Sequence, residues 1–220
     1  MSHHFLKLIQ TGATAEIADS VADDPSLLAW RDAQGVSALL WSIYTGQVLI
    51  RDFFLVEMPK AGIDLDIFEA ASVGNTVRLA QILEASPDAK DAYSGDGWTP
   101  LHLAAAFGTP AAVDLLLSHG ARVDAVSANP QKNQPLHATL ALGRNPETVE
   151  LLLKAGADPN ARQAGGFTAL FSAAAANRRD LAELLVTHGA DPKIQNDFGQ
   201  TPATFARERN HTALADWLEI

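Results

Sequence analysis

The 220-residue chain contains no cysteine and only two methionines. A disulfide framework and a thiolate metal site are both excluded, and a reducing cytosol is compatible. Basic residues are also short: 16 Lys and Arg stand against 26 Asp and Glu, for a formal net charge of −10. Nucleic-acid binding needs a basic surface, and anionic membranes attract basic segments, so neither is expected as a partner. The acidic surplus suits a basic partner segment or simple solubility. Aromatics are modest, at 7%. No apolar run approaches the ~18 residues of a membrane span. The start, Met1-Ser2-His3-His4-Phe5-Leu6-Lys7, lacks a basic stretch followed by a long apolar one, so no signal peptide is expected. A cytoplasmic, monomeric chain is the expectation. Without an export signal, the sequon Asn210-His211-Thr212 is read as chance.

What the chain does have is repetition. The run Gly97-Trp98-Thr99-Pro100-Leu101-His102-Leu103-Ala104-Ala105-Ala106 returns in degraded form, with Leu101 followed by Leu136, Leu170 and Ala203 at steps of 35, 34 and 33. Such a period means an array of one supersecondary unit, in which each unit leans on its neighbours. Within the best copy, Thr99 is a good cap and Pro100 a good first helical residue, so a helix is predicted to about Phe107. Gly108 stops it. Val113, Leu116 and Leu117 fall at helical spacing, predicting a second helix from about Pro110 to Ser118. Gly120 ends that helix, and a polar stretch leads to the next one at Pro135.

Weaker copies continue both ways. Phe68 to Gly74 aligns with His102 to Gly108 at an offset of 34, and Ser37 to Gly46 is another copy. Gly12, Ile17, Val21 and Pro25 map onto Gly74, Leu79, Leu83 and Pro87 at a constant 62. Seven units follow, at about 1–31, 32–62, 63–92, 93–125, 126–161, 162–194 and 195–220, with the first and last as caps and about fourteen helices in all.

The runs Gly97 to Ala105 and Leu151-Leu152-Leu153-Lys154-Ala155-Gly156-Ala157-Asp158-Pro159-Asn160 resemble the ankyrin repeat family, and the resemblance covers essentially the whole chain. Leu65 to Ala71 is similar to bacterial members. The resemblance implies an all-α ankyrin-repeat solenoid, one continuous domain, with β-hairpin finger loops projecting from paired antiparallel helices. It also implies a non-catalytic protein-interaction module that holds a partner between the fingers and the first helices. A dedicated inhibitor or immunity-type partner of one enzyme is an alternative, and an enzyme-like effector with a hidden site is a lesser one.

Departures from the period carry further expectations. Gly46 to Gly62 is 16 residues, against 12 from Gly108 to Gly120, so the second helix of unit two should be about one turn longer. Its face is read as Val48, Phe53, Phe54, Val56 and Met58, with Trp41 and Ile43 also filling that unit's core. Gly62 to Ile67 is nine residues shorter than Gly156 to Leu170, so the finger between units two and three should be missing and the finger row interrupted. The loop holding Asn129 to Asn133 is two residues longer than its counterpart, and the turn Gly143-Arg144-Asn145-Pro146 one residue longer. Trp30 and Trp217 are expected to cover ends or seams.

No catalytic, cofactor or metal site is expected. His102 and His137 are read as holding the neighbouring loop, and His119 and His188 as C-terminal helix residues favoured by the dipole. His3, His4 and His211 follow no repeat, and the terminal pair has no third ligand nearby. Gly95-Asp96-Gly97 breaks the phosphate-loop pattern at Trp98 and reads as a finger tip. Asp64 and Asp66 lack a third partner for acid–base work. The scaffold's variable positions facing the groove are the candidates for partner binding: Tyr44, Asp96, Trp98, Phe107, Phe167, Phe198 and Arg207. Aromatics are read as recurring at one finger position, in Trp98, Phe167 and Phe198, as anchors of the kind interfaces favour.

Overall fold

The computed structural model of the chain describes residues 2–143 and 145–219. Arg144, in the lengthened turn, lies outside them. Among the described residues fourteen α-helices follow in order: α1 (Ser2–Thr11), α2 (Thr14–Asp23), α3 (Ala38–Tyr44), α4 (Val48–Lys60), α5 (Ile67–Val73), α6 (Thr76–Ala85), α7 (Pro100–Phe107), α8 (Pro110–Ser118), α9 (Pro135–Ala138), α10 (Pro146–Lys154), α11 (Ala169–Ala175), α12 (Arg179–Thr187), α13 (Pro202–Arg207) and α14 (Thr212–Leu218). Consecutive helices pair. Odd-numbered, inner helices pack on the next inner helix; of the even-numbered, outer ones, α2 packs on α4, α6 on α8, α8 on α10 and α10 on α12.

Local chemistry fixes the helix ends. The Thr99 hydroxyl accepts from the His102 N–H, and Thr109 and Thr201 accept in the same way from Ala112 and Thr204. Proline opens α7, α8, α9, α10 and α13, where its missing donor costs nothing. On α8, Ala112, Val113 and Leu116 face inward and are buried. Each buried Leu or Val of this kind contributes about 1.5–3 kcal/mol by leaving water.

The fingers differ from the expected β-hairpins. Among the described residues there is no strand, and the one isolated bridge pairs Arg31 with Ser37. Each finger is a tight loop closed across its base by a main-chain bond, Asp32 N–H to Val36 O at 3.0 Å, Ser94 to Trp98 at 2.8 Å, Gln163 to Phe167 at 3.0 Å and Asn196 to Gln200 at 2.9 Å, with a return bond to the first residue's carbonyl from Gly35, Gly97, Gly166 and Gly199. In the longer finger Ser127 donates to Asn133 at 2.8 Å, so the two extra residues sit inside the loop. Fingers also bond to one another, through Ala128 N–H to Gly97 O, Ala164 to Gln131 and Asp197 to Gly165. The main-chain groups are satisfied partly within each short loop and partly along the row, without an extended ladder.

Units two and three meet differently from the rest. α4 has 13 residues against nine in α8, α10 and α12, the expected extra turn. Its buried residues are Ile50, Phe54 and Met58, at four-residue spacing, with Phe53 half-buried. Val48 and Val56 are instead 52% and 53% exposed, which corrects their assignment to the core face. Two buried clusters result. One joins α1 to α4, and the other runs from Ile67 to Leu218. Leu65 packs against both. No finger stands between α4 and α5, yet the row does not gape: the finger at 32–36 meets the one at 94–98. A side chain on Gly95 would overlap the Gln34 carbonyl oxygen, so glycine is required there for close approach. Arg31 reaches across the same seam to Asp66 at 2.9 Å and Glu69 at 3.4 Å.

Trp30 packs edge-on to Phe5 at 5.7 Å in the first cluster, and Trp217 packs on the last, under the Arg179 guanidinium.

Candidate functional site

Histidines build the scaffold around the candidate site. His102 is fully buried, with Nδ1 2.8 Å from Thr99 Oγ1 and Nε2 3.0 Å from the Asn133 carbonyl. A carbonyl only accepts, so Nε2 carries the proton and donates. His137 repeats the device, with Nε2 2.9 Å from Ala161 O. Burial lowers both imidazole pKa values, that of His102 to about 4. Both are neutral at pH 7 and tie an inner helix to the next finger. His211, which follows no repeat in sequence, reaches back to Ala175 O at 3.2 Å. His119 and His188 bond the Leu115 and Leu184 carbonyls at 2.9 Å, at helix ends as expected. Among the described residues no three metal-ligating side chains converge.

The His102 bond fixes the finger at 127–133 beside α7 and opens a concave groove of 700 Å³. Finger 94–98 supplies Asp96, Gly97 and Trp98; finger 127–133 supplies Asn129, Pro130 and Gln131; Gln34 closes one end. Ala141 and Leu142 form the far wall. They lie in a π-turn, Thr139–Gly143, which continues α9 and absorbs the extra residue that the sequence spacing placed near Gly143. Single π-turns of this kind recur at functional sites. Both insertions of unit five therefore line one groove. Leu142 is 51% exposed, and Trp98 is half-buried, edge-on to His102 at 5.5 Å.

The remaining candidate residues fall in three places. Tyr44 and Phe107 meet at the seam, ring centroids 5.5 Å apart, with Trp41 at 6.1 Å from Tyr44. The Tyr44 hydroxyl is buried and faces the Asp96 carboxylate. Burial, then the Asp96 charge, raises its pKa well above the ordinary range. Phe167 and Phe198 meet at 6.2 Å, within a cluster that includes Phe171 and Phe205. Phe198 is 73% exposed. It occupies the finger tip, as Asp96 does. Gln200 is the residue that closes its finger, where Trp98, Asn133 and Phe167 close theirs. The recurrence is thus Trp98 and Phe167 alone, a correction to the expected trio. Arg207 turns toward α14, paired with Asp216 at 2.7 Å and Glu219 at 2.6 Å. Groove residues not among the sequence candidates include Gln34, Asn129, Gln131 and Leu142. The two length changes in unit five were the signal that pointed to most of them.

A family model described as "Ankyrin repeats (3 copies)" matches residues 67–163 and 138–219. The mouse "Ankyrin repeat and SAM domain-containing protein 6" is 36% identical over 109 residues, 47% of this chain and 12% of that protein. The human "SH3 and multiple ankyrin repeat domains protein 2" is 35% identical over 156 residues, 70% of this chain and 8% of that protein. The mouse "2-5A-dependent ribonuclease" is 45% identical over 58 residues, 26% of this chain and 8% of that protein. The chain thus spans about a tenth of the length of these relatives. Among the described residues no helix is long and apolar enough to cross a membrane.

Proposed function

The chain belongs to the ankyrin repeat family, whose repeats are general protein–protein interaction modules, and on that premise we propose that its groove beneath fingers 94–98 and 127–133 holds a segment of a partner protein. The observation that carries this reading is the convergence of the lengthened finger, the π-turn and Trp98 on one 700 Å³ concavity. The lengthened finger and the π-turn of unit five both line the same space. A groove fixed by buried histidine bonds is ordered before the partner arrives, which lowers the ordering cost of binding. Tyr44, Asp96 and Phe107 extend the surface toward the seam, and Phe167 and Phe198 extend it along the finger row. Arg207 contributes at the rim through its carboxylate pairs. The module acts as one non-catalytic, monomeric domain over 1–220, in the cytoplasm, with a preference for basic segments. The acidic balance of −10 supports that preference.

Affinity capture from host extract, identified by mass spectrometry, tests this reading with Trp98→Ala beside the unchanged chain. The expected result is one protein retained stoichiometrically by the native chain and lost with Trp98→Ala. Undiminished retention by a folded Trp98→Ala chain would refute the groove.

A further inference from the structure

Among the described residues the groove has one charged group in its lining, Asp96. The other acids nearby are already engaged. Asp32 accepts from Trp41 Nε1 at 2.8 Å and from the Gln34 and Val36 N–H groups. Asp66 caps α5 and pairs with Arg31, which also meets the buried Glu69. At the equivalent tip region of the last finger, Asp197 is paired with Arg162 at 2.8 Å. Asp96 accepts from Ser94 Oγ at 2.6 Å and faces the buried Tyr44 hydroxyl, but among the described residues no cation pairs with it. Around it lie the Gln34, Asn129 and Gln131 amides and the Trp98 indole. Lys132 is exposed on the next finger and does not line the groove.

On the groove reading above, on which this step rests, we infer that the partner segment places an arginine in the groove, its guanidinium against the Asp96 carboxylate and over the Trp98 ring. A carboxylate, neutral amide acceptors and an indole form a receptor for a planar delocalised cation, which can fork onto oxygens and stack on a ring at once. A lysine ammonium offers a point charge and uses less of that surface. Asp32, Asp66 and Asp96 all place negative charge at the Tyr44 hydroxyl. The seam behind Asp96 therefore reinforces its potential, while Arg31 is held by Asp66 and Glu69. Leu142, across the groove, receives an apolar neighbour of the arginine.

The test is a ¹⁵N NMR titration of the full chain with N-acetyl-arginine amide, following the Trp98 indole and the Gly97 amide. N-acetyl-citrulline amide, its neutral isostere, and N-acetyl-lysine amide serve as comparisons. Titration to about 100 mM covers the weak affinity of a single side chain. The inference expects saturable shifts at both reporters with the arginine probe, and responses at least about tenfold weaker with citrulline or with Asp96→Asn. Equal responses to arginine and citrulline, or none at either reporter, would overturn it. An equal response to lysine would overturn the guanidinium assignment. In the capture assay, binding lost with Trp98→Ala but intact with Asp96→Asn would leave the groove standing and remove the arginine.

Discussion

Lowering the pH from 7 to 5 should destabilise the protein, with His102 contributing the largest traceable share. An imidazole in the unfolded chain titrates near 6.5, whereas burial holds that of folded His102 at about 4. Between those values the unfolded state binds the extra proton, so stability is present above the unfolded pKa and is lost as pH falls toward the folded one. Each tenfold difference in proton affinity between the two states is worth about 1.36 kcal/mol, so the loss from His102 between pH 7 and 5 is about 2 kcal/mol. His137, also lowered by burial, adds to the loss. Glu69 opposes it: burial, then Asp66, raises its pKa, so its contribution grows as pH falls. Urea denaturation followed by circular dichroism at both pH values measures the sum. Comparison with His102→Gln isolates the one side chain, because glutamine suits the third position of a capping box opened by Thr99. The variant should lose about 2 kcal/mol less than the native chain over this range. Identical pH dependence in both would refute the reading of His102 as a buried neutral tie.

Leu116 is fully buried on α8. Leu116→Ala should cost roughly 2–5 kcal/mol in chemical denaturation, and a neutral result would mean that the helix faces are misassigned. Gly95→Ala should force the fingers at 32–36 and 94–98 apart, at a cost on the order of 1–3 kcal/mol. An unchanged melting curve would refute close approach at Gln34. Because the hydrophobic core divides at the seam, amide hydrogen exchange should report two levels of protection, one for α1 to α4 and another from α5 onward. A single uniform level would contradict the division.

Sequence reading reached the units and their helices because capping, proline placement and glycine stops are local chemistry, as at Thr99, Pro100 and Gly108. The extra turn of α4 and the missing finger were legible as spacings. What escaped depended on neighbours. Val48 and Val56 are apolar, but three-dimensional phase puts Ile50, Phe54 and Met58 inward. The fingers are too short for strands, and part of their main chain bonds along the row, which no single finger's sequence encodes. Contact between Gln34 and Gly95 follows from the loss of nine residues elsewhere, between them in sequence. The placing of Phe198 failed because its finger closes at Gln200, two residues later. At Arg207, the carboxylates of α14 decide where the guanidinium turns. The groove was half legible: the insertions of unit five were visible, but their convergence was not.

Site-specific photo-crosslinking tests the central claim most directly. A benzophenone side chain would replace Leu142, in the groove wall, or Val77, 70% exposed on the outer helix α6. Illumination in host extract should couple a partner protein to position 142 and leave position 77 bare. Coupling at 77 with none at 142 would place the partner on the opposite side of the stack and contradict the account.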